Sequence, residues 1–276
     1  MTRHLLCTDL DRTLIPNGAQ PESPAARARF AQLAGRDDVT LVYVTGRHRA
    51  LIEQAIAGYN LPQAAYAIAD VGATIYQRGA SGWQQWQEWD EHIAPDWCNL
   101  KHDELYSLLS VFPALTLQES EKQNRHKLSF YVPPDADAQA LIAEMEILLL
   151  QAGISANLVW SIDEAAATGL LDVLPARAGK LHAIRFLMQK LDISRDSTLF
   201  AGDSGNDLDV LLSDIPAVLV ANAAADVKQQ AENAAGAVLY IAHGGYLGMN
   251  GNYAGGILEG VAHYWPEVDA WLRTQE

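Results

Sequence analysis

Apolar residues fall along this chain in two alternating rhythms: short continuous runs that stop at polar, glycine-bearing loops, and longer stretches with apolar positions three and four apart. Residues 5–8 are such a run, emptying into Asp9-Leu10-Asp11-Arg12-Thr13 and then Pro16-Asn17-Gly18. Ser23-Pro24 opens a helical stretch through Leu33, with Ser23 placed as N-cap and Pro24 at the first helical position. Residues 39–44 form a second β-rich run that stops at Thr45-Gly46-Arg47. Leu51, Ile52, Ala55 and Ile56 then share one helical face, and residues 64–69 are a third run. This order of strand, loop, helix and strand predicts a parallel sheet with helices on both faces.

The rhythm changes after Ile75-Tyr76. Residues 83–97 carry Trp83, Trp86, Trp89 and Trp97, whose spacing suits packing of one layer on another, or of the rings on one another, better than stacking on a ligand. A helix is expected over 96–112, an alternating strand over 126–132 closed by Pro133-Pro134, and a helix over 135–151 stopped at Gly153. Strands at 157–162 and 169–174 follow. The first rhythm then resumes with an amphipathic helix at 180–191, a strand at 197–201 running into Gly202-Asp203-Ser204-Gly205-Asn206-Asp207, and short strands at 217–220 and 237–241. The expected fold class is α/β: a doubly wound parallel-sheet (Rossmann-like) core from 1–82 and 175–276, interrupted by a smaller α+β cap at 83–174.

Composition narrows the partners. With 34 acids against 19 Lys and Arg in 276 residues, the formal charge is −15, and 49% of residues are hydrophobic. That is a globular composition whose charge argues against nucleic acid. Cys7 and Cys98 form neither a disulfide framework nor a metal-spaced pair. No apolar run approaches the roughly 18 residues of a membrane helix, and the first apolar stretch meets Asp9 too soon for a signal peptide. A cytoplasmic location with no membrane partner is expected.

In open parallel sheets, ligands bind beyond the carboxyl ends of the strands. Those ends carry Asp9, Asp11 and Thr13, then Thr45, then Asp203 and Asp207, with Lys180 opening the preceding helix. Such a set suits phosphoryl transfer through a carboxylate nucleophile. Four converging acids repel one another, and a hard cation with oxygen ligands, Mg²⁺ first among them, relieves that repulsion. Lys180 and the donors around Thr45 would hold the phosphoryl oxygens.

Together these segments resemble the haloacid dehalogenase superfamily of aspartate-nucleophile phosphohydrolases. Asp9-Leu10-Asp11-Arg12-Thr13 matches its first motif, although many relatives carry Gly or Asn where Arg12 stands. Thr45, Lys180 and the loop from Gly202 to Asp207 match the other three; Leu181 replaces the usual Gly after the lysine. The resemblance implies that Asp9 is the nucleophile and that Asp11 protonates the leaving oxygen and then activates water. It also implies that Asp9, the Asp11 carbonyl and Asp203 hold the metal, with Asp207 and Asn206 in support.

Within the superfamily the chain resembles the sucrose-phosphatase family. Gln118-Glu119-Ser120 with Lys127-Leu128-Ser129-Phe130-Tyr131, then Leu171-Asp172-Val173-Leu174-Pro175, and most distinctively the segment from Ala254 to Tyr264, carry this likeness. The implied reaction is hydrolysis of a sugar phosphate, sucrose 6-phosphate first. Other glycosyl phosphates (mannosylfructose or glucosylglycerate phosphate), a phosphomutase and a non-catalytic sugar-phosphate sensor remain alternatives. The synthase that makes the phosphate is a candidate partner. In the cap, Glu119, Glu121, Lys122, Asn124, Arg125 and Lys127 offer donors and acceptors for sugar hydroxyls. Thr13, Gly46, Arg47 and Asn206 complete the expected substrate-binding set, and the Gly-rich stretch from His243 to Asn252 is placed at the site mouth.

Overall fold

The computed structural model describes residues 3–163, 166–233 and 238–275. Its strands are β1 (His4–Thr8), β2 (Val39–Val44), β3 (Tyr66–Ala69), β4 (Thr74–Gly79), β5 (Gly82–Gln85), β6 (Thr116–Leu117), β7 (Leu128–Val132), β8 (Ala156–Asp163), β9 (Thr168–Pro175), β10 (Thr198–Gly202), β11 (Ala217–Leu219) and β12 (Leu239–Ile241). Eight of them form one sheet in the order β12-β11-β10-β1-β2-β3-β4-β5. The pairs from β12 to β3 are parallel, and β4 and β5 close the edge as an antiparallel hairpin.

The near-continuous apolar runs arise because this sheet is covered on both faces. Along β1, Leu6 joins one core with Phe30, Ile52, Ile257 and Val268, while Leu5 and Cys7 join the other with Ile184, Leu187 and Val210. Helices Ala26–Ala34, Arg49–Tyr59 and Ala254–Tyr264 therefore lie on one face, and Lys180–Leu191 on the other. This is the expected doubly wound α/β core.

A second, four-stranded antiparallel sheet has the order β6-β7-β9-β8. Its helix-covered face buries Leu128, Phe130, Val132, Leu171 and Val173 against Leu105, Leu109, Met145 and Leu149. Strand alternation turns Lys127, Ser129, Leu170 and Asp172 to the opposite face. This second layer is the cap expected from the sequence, but the main sheet runs past the expected boundary at 82. β5 pairs with β4, and Trp89 and Ile93 belong to the core beside Val42 and Ile75.

Local chemistry changed other expectations. Ser23 does not cap its helix: the preceding residue is Ala25 at φ 65°, and the Ser23 hydroxyl accepts from the Asn250 N–H. The helix expected over 96–112 is confined to His102–Leu109, because Cys98 and Asn99 adopt φ 52° and 61°. Of the strand expected over 237–241, Leu239–Ile241 is formed and residue 237 lies outside the described residues.

Two crossings join the layers, and Asp96 in the first grips Arg177 in the second. Its carboxylate accepts from the Arg177 backbone N–H at 2.7 Å and the guanidinium at 2.6 and 2.8 Å. The Asp96 carbonyl also accepts from the Ser155 N–H. No helix among the described residues is long and apolar enough to cross a membrane.

Candidate active site

β1, β2, β3 and β10 all end at the same edge of the parallel sheet, and the polar loops that follow them meet there. Asp9 leaves β1 with its N–H donating to the Ala201 carbonyl of β10. Thr45 leaves β2 with its N–H on Ile68 of β3. Lys180 is the first residue of its helix, preceded by Gly179 at φ 131°. That glycine is packed so tightly on Gly72 (φ 95°) that a Cβ on Gly72 would sit 2.3 Å from the Gly179 carbonyl carbon. Glycine at 72 permits the approach, and glycine at 179 permits the backbone conformation from which the lysine's helix begins.

The Lys180 ammonium is 1% exposed and makes three bonds: to Asp207 Oδ1 at 2.6 Å, Asn206 Oδ1 at 2.9 Å and Asp9 Oδ1 at 3.1 Å. Burial works against its charge, but Asp207 and Asp9 outweigh that and hold its pKa above the ordinary lysine value. Asp207 also accepts at Oδ2 from the N–H groups of Asp203 and Ser204, each at 3.1 Å. It fits beneath β10 because residue 202 is Gly; a Cβ there would lie 2.7 Å from the Asp207 carboxyl carbon. Asp203 accepts from Thr13 at 3.0 Å, and its Oδ2 lies 3.4 Å from Arg12 Nε.

Asp9, Asp203 and Asp207 are all buried, with carboxylate oxygens within 4.8 Å of one another. Burial first, then the neighbouring carboxylates, pushes Asp9 well above the usual range and Asp203 up to about 7. Asp203 Oδ2 is buried and makes no hydrogen bond. A crowded set of carboxylates, one with an oxygen lacking a donor, fits a hard divalent cation. The side chain of Asp11 lies outside this cluster.

Asp11 instead accepts from Arg47 at 2.6 and 2.7 Å and from Asn17 at 2.7 Å. Burial raises its pKa, but these bonds outweigh burial and leave it below the usual value. Arg12 adopts φ 59°, a region that favours Gly or Asn.

Above these groups, the core and the open face of the cap sheet enclose a cavity of about 350 Å³. Asp9, Asp11, Thr45, Gly46, Arg47, Asp203 and Asn206 line its floor, and Gln118, Lys122, Lys127, Leu170 and Asp172 its cap side. Lys127 Nζ lies 3.5 Å from Asp172 Oδ1, and Ser129 donates to the same carboxylate.

Not every expected site residue reaches the cavity. Thr13 lies beneath it, holding Asp203; Lys180 and Asp207 form its buried foundation. Glu119 does not line it, since its exposed carboxylate is engaged by Tyr131 and Lys122. Arg125 and Glu121 are exposed outside it, Asn124 instead donates to Thr74, and the stretch from His243 to Asn252 does not reach it. The four tryptophans of 83–97 also lie away from the cavity: Trp83 and Trp89 pack in the core and Trp97 in the cap. Conversely Asp70, which lines the floor, was not read from the sequence. The signal was present, because an apolar run ends in this acid as others end in Asp9 and Asp203.

A model of the family described as sucrose-6F-phosphate phosphohydrolase matches residues 2–265. The chain belongs to that family. It is 50% identical over 274 residues to a Nitrosococcus oceani protein named only as a HAD-like hydrolase, covering 98% of this chain and 74% of that one. It is 29% identical to the mannosylfructose-phosphate phosphatase of Agrobacterium fabrum, covering 94% and 96% of the two chains. It spans 52–60% of the length of the plant sucrose-phosphatases it matches. The structure of the Synechocystis sucrose-phosphatase, solved with sucrose and phosphate, superposes with a TM-score of 0.76 at 26% identity, covering 96% and 98% of the two chains. The family is one of phosphoric monoester hydrolases, and its haloacid dehalogenase fold is the fold of this chain.

Proposed function

We propose that this chain hydrolyses a glycosyl sugar phosphate, sucrose 6-phosphate first, with Asp9 as nucleophile and Mg²⁺ as cofactor. The observation that carries the reading is the buried Lys180 ammonium, bonded to both Asp9 and Asp207 directly beneath a cavity whose cap side is polar. Asp9, Asp203 and Asp207 would hold the cation, which supplies charge to offset an incoming phosphate dianion. Lys180 keeps Asp9 oriented and, with the Thr45-Gly46 turn, stabilises charge as it spreads over the phosphoryl oxygens.

Asp11 must carry a proton to the leaving sugar oxygen, and its bidentate bond to Arg47 opposes protonation. A phosphoryl group that draws the Arg47 guanidinium to itself frees Asp11 and lets its pKa rise, so that the acid becomes available when substrate is present. On the cap, Lys122, Lys127, Gln118 and Asp172 offer both donors and acceptors for hydroxyls; a sugar lacking a matching hydroxyl leaves one of them unpaired.

A second reading, mannosylfructose phosphate, is favoured by a relative with that activity in its name that matches nearly end to end. Steady-state kinetics on sucrose 6-phosphate, mannosylfructose phosphate, glucose 6-phosphate and p-nitrophenyl phosphate, with magnesium and with EDTA, tests the proposal. The expected result is a kcat/KM at least tenfold higher for one disaccharide phosphate than for the monosaccharide phosphate, and no turnover with EDTA. Equal values across the panel would overturn the substrate assignment, and turnover in EDTA the cofactor.

A further inference from the structure

Five carboxylates line the cavity: those of Asp9, Asp11, Asp70, Asp172 and Asp203. Four of them touch a basic side chain, respectively Lys180, Arg47, Lys127 and Arg12 for Asp9, Asp11, Asp172 and Asp203. Asp70 is the exception among the described residues. It is 4% exposed, and no basic side chain among the described residues forms an ion pair with it. Burial pushes its pKa up, and the field of Lys127, the polar groups of Thr74 and Asn124, and His48 offset part of the push. Lys127, itself 5% exposed, is engaged by Asp172 and not by Asp70.

A buried carboxylate without a cation in contact is costly to maintain. This one also occupies a strained backbone, with Asp70 at φ 54° and Val71 at φ 60°. The strain is held in place by the motif around Thr45: the Asp70 N–H donates to the Arg47 carbonyl and the Val71 N–H to the Thr45 carbonyl, each at 3.1 Å. The loop that positions the phosphate-binding turn thus also aims an acid into the cavity. A positively charged ligand is disfavoured by the nearby Lys127 ammonium. A neutral polyol is not, since one hydroxyl can donate to Asp70 while the next accepts from Lys127.

We infer that Asp70 is a specificity-determining residue, supplied by the core, that together with Lys127 of the cap grips hydroxyls on the sugar of the substrate. The sugar then bridges the two layers, and substrate binding itself draws cap and core together. This rests on the sugar-phosphatase reading above and extends it from the cap to a residue at the end of β3.

The test is Asp70→Asn in the full chain with magnesium; Asn keeps the volume and tolerates positive φ. The ratio of kcat/KM for sucrose 6-phosphate to that for p-nitrophenyl phosphate is expected to fall at least tenfold, with the loss in KM. The inhibition constant of free sucrose should rise by a similar factor, which a merely structural role for Asp70 would not produce. An equal loss on both substrates, or an unchanged ratio, overturns the inference. If the unmutated chain itself shows no preference for any sugar phosphate in the panel, the substrate reading falls and the role of Asp70 with it. A preference that survives in Asp70→Asn removes Asp70 alone.

Discussion

Lys180 illustrates how much of this site depends on single atoms. One ammonium bonds three side chains from two loops more than 170 positions apart in the chain. Its neighbour Asp9, the nucleophile proposed above, has no second carboxylate beside it at the end of β1, because that of Asp11 is turned to Arg47. Asp9→Asn is therefore expected to lower phosphate release by roughly 10³-fold or more, checked by initial rates at saturating substrate. Retained turnover would exclude a covalent aspartyl route. The residues that meet at the cavity floor were legible in the sequence: Asp9, Thr45 and Asp203 each follow an apolar run ending at the same sheet edge, and Lys180 opens a helix. The orientation of their side chains was not. Whether Asp11 faces the acids or Arg47, and whether Glu119 faces the cavity or solvent, depends on partners 36 and 12 residues away that local pattern does not register.

Among the elements, continuous apolar strands and the Lys180–Leu191 helix matched their sequence patterns, since burial on both faces leaves little room for another reading. The β4–β5 hairpin was missed. Its strands are half exposed, carry Gln and Arg, and are joined through Ala80-Ser81, which lacks the Asn-Gly type of turn signal. The contact of Gly72 with Gly179 is one of the tightest junctions between elements. Gly72→Ala places a methyl group 2.3 Å from backbone at φ 95°. We expect a loss of about 2–4 kcal/mol in stability, read from urea midpoints, together with reduced turnover as the Lys180 helix shifts. A neutral outcome would show that the two loops separate without cost.

In the cap, His126 is buried beside Trp97, and burial followed by the Arg125 charge lowers its pKa to about 4. The unfolded chain takes up this proton near its ordinary value of 6.5, before the folded one does. The contribution of His126 is thus full above pH 6.5 and declines as pH falls toward 4. His126→Gln should lose less stability than the unmutated chain between pH 7 and pH 5, measured by denaturant midpoints at both. Parallel losses would show that the ring is charged in the folded cap.

For the whole molecule, the central electrostatic fact is a buried cluster of acids in a chain of net charge −15. Millimolar magnesium should raise the melting temperature by several degrees, reversibly with EDTA, because it binds the folded state and not the dispersed carboxylates of the unfolded one. Asp203→Asn should remove most of that rise. An unchanged melting temperature in both proteins would mean that the carboxylates do not form a cation site before substrate arrives.

The grip of Asp96 on Arg177 ties the two crossings to one another. Two segments of polypeptide pinned to one another at a single carboxylate have less freedom to shift independently than two untethered linkers would have. On the sugar-phosphate reading proposed above, that anchor would hold Lys127 and Asp172 of the roof in register with the carboxylates of the floor.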